Sequence, residues 1–415
     1  MKQLLRDVIL SQRVALAEKT VIERTLPRDL VNGPEIVVIC GPCGIGKGTM
    51  LQCLSRKMKE YDYLVDFDDP RLLHFTEDNF DLLMEVLKEL YGEQHTCYFI
   101  DIALKPGFAP FVRRLHDEGY KVFLTCSNEA LLDASFHDTL DGCYVHFDSL
   151  PLSFREYVRW KGTDTPHRTN GYSSKAEVSL LLEDYYRQGG IPEYLTTPDD
   201  NTLYTFYHRI LYRYVMVQHQ LTGEQEMCRT VFFMMSHIGE PITYTMIAQA
   251  AGVKNVTTAR SYMDNIVHSY IAHALCRLDA DGTIQTRSAH VVYADDIALA
   301  RYLGYCPKGD NLTIVRNAVF LELLSRGNEI FYWQTTKGLC DFVLRRNGIV
   351  TEAVQVCGTW NDEPRRNASL RGLALAMEAF GLSEGTLIAD APVSSVFTSS
   401  GSKIRILPAR RWLLG

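Results

Sequence analysis

No run of about 18 apolar residues, the length a membrane-crossing helix needs, occurs anywhere in the chain. The first residues, Met1-Lys2-Gln3-Leu4-Leu5-Arg6-Asp7, set polar groups among apolar ones. They read as an amphipathic helix, not a secretory leader. A paired cysteine framework is also missing. The eleven cysteines are odd in number and scattered, which suits a reduced, cytoplasmic protein with buried thiols. The twelve histidines form no H-E-x-x-H or Cys/His cluster, so no structural zinc is expected. Positive charge is in deficit, with 43 Lys and Arg against 50 Asp and Glu, a net of −7. That excludes coating nucleic acid through global charge and leaves room only for a local patch. The remaining composition, 46% hydrophobic and 22% charged over 415 residues, is that of a globular chain of two or three domains.

What is present concentrates in Gly41-Pro42-Cys43-Gly44-Ile45-Gly46-Lys47-Gly48-Thr49. An apolar run, Ile36 to Cys40, precedes it as a buried strand, and Met50 to Ser55 opens a helix after it. Strand, glycine-rich turn and helix N-terminus together make a phosphate-binding loop. The glycines let backbone N–H groups turn inward around phosphate oxygens, and Lys47 adds a full positive charge. The expected ligand is a nucleoside triphosphate. Its contacts are expected from Gly41, Gly44, Ile45, Gly46, Lys47, Gly48 and Thr49. One position departs from G-x-x-x-x-G-K-[ST]. Gly48 stands where a hydroxyl would meet Mg²⁺, and Thr49 comes one residue late. Nucleoside monophosphate kinases share this G-K-G-T and hold their metal largely through water. Cys40 and Cys43 have C-x-x-C spacing, which allows a metal or redox role beside that of buried thiols.

Further strands are expected at 63–67, 97–100, 121–125 and 144–147, with helices at 79–91 and 111–119 between them, and one or two helices in 1–30. The alternation implies a parallel sheet covered on both faces. The third strand ends at Asp101, about fifty residues after the loop, where a carboxylate would hold Mg²⁺ at the β- and γ-phosphates. The competing role is a turn cap. Hydrolysing enzymes of this kind follow that Asp with a Glu that polarises water. Here Ile102 follows and cannot accept a proton. After the fourth strand, Asn128 is placed either to contact the γ-phosphate or to make a turn.

Further motifs follow in order: Asp69-Pro70-Arg71, Cys126-Ser127-Asn128, Leu150-Pro151-Leu152-Ser153-Phe154-Arg155-Glu156, Gly189-Gly190-Ile191-Pro192-Glu193, Asn317 to Glu322 and Ala379 to Gly385. With these the chain resembles the bacterial and archaeal AAA-superfamily ATP-binding proteins that carry a helical lid, a winged helix and a C-terminal PD-(D/E)XK nuclease-like domain. The resemblance implies an α/β fold of ASCE type. It divides the chain into an ATP-binding domain with lid at 1–220, a winged helix at 221–305 and a nuclease-like α/β domain at 306–415. Gly190 and Pro192 would shape the lid near the base. The departures fall on chemistry: Cys43-Gly44 for an arginine pair, Gly48 for Ser/Thr, Ile102 for Glu, Cys126-Ser127 for Gly-Ser and Gly142-Cys143 for Gly-Arg. Weak or lost ATPase activity is therefore expected, with a nucleotide-dependent conformational role.

Between 242 and 267 the pattern is helix-turn-helix, with Gly252 at the turn and Asp281-Gly282 as the tip of a hairpin resembling a wing. Lys254 and Arg260 are the candidate DNA contacts. Six basic residues against eight acidic ones over 224–305 favour an interaction or lid-regulating role over DNA binding. In the last region the resemblance maps a nuclease-like set onto Glu322, Asp341, Gln355 and Cys357. Gln and Cys are poor stand-ins for Glu and Lys, so a binding or assembly module is favoured over a metal-dependent nuclease. Arg345-Arg346, Arg365-Arg366 and Arg410-Arg411 are basic pairs for a nucleic acid or an acidic partner. Two other functions stand beside the weak ATPase. One is a non-hydrolysing nucleotide-gated scaffold, and the other is a phosphotransferase, suggested by G-K-G-T alone. DNA or protein partners and a homo-oligomer complete the expectations.

Overall fold

The computed structural model describes residues 1–17, 22, 24, 26–58, 62–128, 131–162, 172–217, 223–305, 311–358 and 360–415. The chain divides into two compact units. The first holds Met1–Ser149 together with Arg209–Tyr214, and the second holds Leu150–His208 with Val215–Gly415.

In the first unit five strands form one sheet: β1 (Ile36–Cys40), β2 (Tyr63–Asp66), β3 (Thr96–Ile100), β4 (Lys121–Cys126) and β5 (Tyr144–Asp148). Their order is β2-β3-β4-β1-β5, and every pairing is parallel. All five residues of β1 are buried, as expected of a strand covered on both faces. Successive side chains alternate across the sheet. Val37 and Ile39 pack with Met50, Leu51, Tyr98, Ile100 and Phe123 on one face. Phe99 points the other way, toward a group in which Phe80 and Phe111 stack at 4.2 Å. The edge strand β2 is partly capped by the helix Lys2–Ala17. Gln12 donates to the Asp66 carbonyl (2.8 Å) and accepts from the Asp66 N–H (2.9 Å), using backbone groups that an edge leaves open. A second N-terminal helix is Arg28–Asn32, while 18–21, 23 and 25 lie outside the described residues.

The second unit opens on the Leu150–Glu156 motif. Ser153 caps the helix Phe154–Trp160, and Glu156 reaches back to the Ser153 N–H, a capping box. The Gly189-Gly190 segment packs directly on Leu152. Leu152 N donates to Gly190 O (2.8 Å), and a Cβ on Gly190 would lie 2.6 Å from Leu152 N. Gly190 N in turn donates to the buried Asp296 carboxylate (2.6 Å). The Leu150–His208 segment, expected in part as the lid of the first domain, groups with the C-terminal half, and the Asp296 carboxylate bound to Gly190 N is one link between them.

Three short strands, β6 (Pro241–Ile242), β7 (Ala272–Leu275) and, after the hairpin described next, His290–Ala294 form an antiparallel sheet. Helices Glu224–Ser236, Tyr244–Ala251 and Val256–His268 accompany it. Gly252, at φ 77°, ends one helix, and Asn255 caps the next through the Thr257 N–H. The hairpin β8 (Arg277–Leu278) and β9 (Ile284–Gln285) turns at Asp281-Gly282 as expected. It does not project as a separate wing. β8 pairs in parallel with Tyr332 of the C-terminal sheet, and Leu278 is buried in that sheet's core beside Phe331 and Trp333. With β10 assigned to His290–Ala294, the remaining strands are β11 (Glu329–Thr335), β12 (Gly338–Arg346), β13 (Ile349–Val356), β14 (Glu384–Ile388), β15 (Ser394–Phe397) and β16 (Lys403–Leu407). The eight-stranded order is β15-β16-β14-β13-β12-β11-β8-β9. The expected break at 305/306 is therefore crossed by strand pairing.

Candidate functional site

The loop after β1 is built by backbone constraint. Gly41 has φ 142°, and a Cβ there would lie 2.9 Å from Ile45 Cδ1 and closer still to the Ser149 carbonyl. Gly44 and Gly46 have φ 86° and 89°, a region that other residues rarely adopt. The helix Lys47–Met58 begins at once, with Met50 N donating to Gly46 O (2.8 Å). Lys47 is only 4% exposed, and its Nζ donates to the carbonyls of Gly41 and Pro42, both at 2.7 Å. Ile45 is fully buried, and Gly48 and Thr49 are half-buried at the helix start. A helix N-terminus, inward-turning glycines and a lysine at the rim suit an anion of phosphate type.

Asp101 caps the tip of β3 in the left-handed region, φ 50° and ψ 35°. Its N–H donates to Thr125 Oγ1 (2.9 Å), and its Oδ1 accepts from Ser127 Oγ (2.7 Å). The neighbouring strand β4 thus fixes the carboxylate. Asp66, at the tip of β2, is pushed up to about 6 by burial; the Asp68 N–H opposes this, and the charges of Asp101, Asp68 and Asp69 add to it. Ile102 is fully buried, so no side-chain acceptor stands where a water-polarising Glu is expected. Asn128 is also fully buried, and its carbonyl accepts from Leu131 N (3.1 Å) and the Cys126 thiol (3.0 Å).

Two arginines missed by sequence reasoning approach the loop. Arg209 Nη1 lies 3.8 Å from Cys43 Sγ. Arg24 Nη1 donates to Ser149 Oγ (3.1 Å) and lies 3.5 Å from the Ile45 carbonyl. Burial raises the Cys43 thiol pKa. Lys47 and Arg209 pull it down and Asp101 pushes it up. Nothing in the sequence around Arg209 marks it. Only the π-helix Ile210–Val217, a rare form often found at functional sites, distinguishes that segment, and it is a structural signal.

The residues at the loop do not make a direct magnesium site. Gly48 supplies no hydroxyl, and a Cβ there would stand 3.1 Å from Ile100 Cδ1. Among the described residues no group of three or more His, Cys, Asp and Glu is arranged to hold a metal. What fits is a hydrated ion facing the Asp101 carboxylate, with the charges of Asp66, Asp68 and Asp69 close by.

In the second unit Asp341 and Gln355 come together, but the expected set with Glu322 does not assemble. Asp341 is 2% exposed. Its Oδ2 accepts from Gln355 Nε2 (2.9 Å), Val356 N (2.9 Å) and Arg316 Nε (3.3 Å), while Oδ1 is buried without a partner among the described residues. Burial raises the Asp341 pKa, against the pull of Arg316. Glu322 instead pairs with Arg326 (3.0 Å) and lines a cavity of about 410 Å³ with Ser153, Arg155 and Ser325. The reason is helix phase. Arg316 and Glu322 share the helix Leu312–Ser325, and six residues turn it by about 240°, so only one of them can face Asp341. Cys357 is buried in the sheet's core. Lys254 and Arg260 are exposed, and Arg260 lies 3.7 Å from Asp264. Pro192 opens the short helix Pro192–Thr196.

Comparison with known proteins agrees with this geometry over the first unit's sheet. The model of a family described as AAA domain matches residues 33–158. An uncharacterized protein of Methanocaldococcus jannaschii is 26% identical over 375 residues, covering 87% of this chain and 83% of that protein. An uncharacterized protein of Haemophilus influenzae is 21% identical over 283 residues, 66% and 68% of the two chains. Among solved structures, C. elegans PCH-2 aligns at TM-score 0.21 with 15% identity, covering 63% of this chain and 68% of that one. Drosophila ORC bound to AT-rich DNA and Cdc6 aligns at 0.20 with 10% identity, covering 72% and 90%. No helix among the described residues is long and apolar enough to cross a membrane. Loop, parallel sheet and family match meet in one stretch: residues 33–158 match an AAA domain model and hold the parallel sheet together with the phosphate-type loop.

Proposed function

We propose that the chain is an ATP-binding protein that hydrolyses its nucleotide slowly or not at all and uses occupancy to change how it engages a partner. The observation that carries this is the pair of a built phosphate loop and a fully buried Ile102 where a general base is needed. The amides of Gly41 and of Gly44 to Thr49 would hold the phosphates, with Lys47 leaving the Gly41 and Pro42 carbonyls for them. Arg209 and Arg24 add positive charge beside the loop. A hydrated Mg²⁺ arriving with the nucleotide would face Asp101. Loss of one transition-state stabiliser costs about 10²–10³ in rate, and this site lacks both the Glu and the loop hydroxyl. The test is ATP binding and ADP production measured together for wild type and Lys47→Ala. Lys47-dependent binding without multiple-turnover ADP release is expected; ordinary steady-state turnover would overturn the reading.

Partner binding is assigned to the second unit. Helix, strand, two helices and a three-stranded sheet in the order β6-β10-β7 support a winged-helix reading of 224–294. The hairpin's engagement in the C-terminal sheet and the Arg260–Asp264 pair favour a protein partner over DNA. The order helix, β11, β12, β13, helix, β14 supports a nuclease-like fold for the last region. Arg316 beside Asp341 places a fixed positive charge where a nuclease would need metal, which favours an assembly role. A plasmid-cleavage assay with Mg²⁺ or Mn²⁺ tests this, and nicking that depends on Asp341 would reverse it.

A further inference from the structure

We infer that this loop binds its nucleotide without help from a divalent cation, because Gly48 lacks the hydroxyl through which a P-loop ordinarily grips one and Ile100 crowds that position. The inference rests on the nucleotide-binding reading above and concerns how that affinity is built. In a P-loop the residue after the lysine contributes a hydroxyl to the ion that bridges the phosphates. Here that residue is Gly48. The space its side chain would need is limited by Ile100 Cδ1, 3.1 Å from where a Cβ would stand. Ile100 is itself held, at 6% exposure, in the core formed by Val37, Ile39, Met50 and Leu51. A side chain at 48 therefore requires the Ile100 Cδ1 methyl to give by a few tenths of an ångström.

The second grip is weakened as well. Asp101 is the one carboxylate at the tip of β3, and its Oδ1 already accepts the Ser127 hydroxyl at 2.7 Å. Its N–H is tied to Thr125, so the carboxylate stays with β4. Magnesium that keeps its waters meets the chain here through Asp101 and no loop hydroxyl, so the protein adds few direct ligands to those of the phosphates. The negative charge of a triphosphate must then be met by the chain. Three cations are at hand in the first unit: Lys47 on the Gly41 and Pro42 carbonyls, Arg209 at Cys43, and Arg24 at Ser149 and Ile45. Loop amides and these side chains are sufficient to hold phosphate oxygens directly.

The experiment is isothermal titration of the full chain with ATP, once in excess EDTA and once in excess Mg²⁺, for wild type and for Gly48→Ser combined with Ile100→Val. The second substitution removes the very methyl that crowds position 48. Wild-type Kd is expected to differ by less than about tenfold between the two buffers, and the double variant by more. Wild-type binding more than about tenfold weaker in EDTA would overturn the inference while leaving nucleotide binding intact. No binding in either buffer would overturn the nucleotide reading itself, and the inference with it. A well-folded double variant that stays insensitive to Mg²⁺ would refute the role given to Gly48 and Ile100.

Discussion

Replacing Gly190 by alanine should destabilise the second unit by about 3–5 kcal/mol, although Gly190 is not among the glycines with positive φ. The added Cβ would lie 2.6 Å from Leu152 N and 3.1 Å from Leu152 C, and closer still to its carbonyl oxygen. All three are backbone atoms, so no rotamer change relieves the clash. The two segments must separate, and two hydrogen bonds then lengthen. One is Leu152 N to Gly190 O at 2.8 Å; the other is Gly190 N to Asp296 Oδ2 at 2.6 Å. The second matters more, because Asp296 is buried and charged-group hydrogen bonds contribute about 1.5–3 kcal/mol. Overpacking adds about 1–3 kcal/mol. The assay is urea unfolding followed by circular dichroism, with Gly381→Ala as the comparison. Gly381 has φ 67° but nothing within 4 Å of a built Cβ, so its substitution carries only the left-handed cost of about 1–2 kcal/mol. A Gly190→Ala penalty no larger than that of Gly381→Ala would refute the reasoning.

Four further outcomes are expected. Asp296 has its pKa raised from 3.8 to about 6, chiefly by burial, so its folded form holds the proton more tightly than its unfolded form. Its contribution to stability is full below about pH 4 and is lost as pH rises through 6; the unfolding free-energy difference between wild type and Asp296→Asn should shrink over that window, and a flat difference would contradict the assignment. Arg316→Met should cost about 3–5 kcal/mol by leaving Asp341 buried without its cation, measured by thermal melting, and Arg316→Met with Asp341→Leu should recover much of that loss. Lys47→Ala should weaken ATP binding by at least about tenfold in a direct titration while leaving the circular dichroism spectrum unchanged. Ile102→Glu should not create rapid turnover, since a buried carboxylate there must first be accommodated in a fully closed site; a measured gain in ADP release above about a hundredfold would show that Ile102 alone limits hydrolysis.

The parts of this molecule legible in the sequence are those whose causes are local. Apolar runs mark β1, β3 and β4 to within a residue or two, because each is buried on both faces. The glycines and Lys47 announce the loop, since its backbone conformation demands them. Asn79 to Tyr91 shows its helical stripe, and the structure places a helix at Phe80–Tyr91. What sequence reasoning missed depends on contacts between distant segments. Arg209 reaches Cys43 across 166 positions of sequence, and no spacing rule links them. The 281–282 turn was readable, but the pairing of Arg277 with Tyr332 that draws its hairpin into another sheet was not. Glu322 and Asp341 were grouped by resemblance, and the helix phase that turns Arg316 toward Asp341 instead is visible only once both elements are placed. The Gly189-Gly190 motif stands out in the sequence, but its physical cause, the approach of the Leu152 backbone, joins segments 38 residues apart that no spacing rule links.

The first unit is discontinuous along the chain, with its sheet complete by Ser149 and its last piece, Arg209–Tyr214, supplied sixty residues later. During synthesis at about 5–20 residues per second, roughly 3–12 s separate the two events. Throughout that interval the nascent sheet can be formed while Cys43 waits for the guanidinium that later lies against it. A fragment ending at Ser149 would freeze that interval permanently. The order in which the chain leaves the ribosome thus separates the making of the phosphate loop from the arrival of Arg209 beside it.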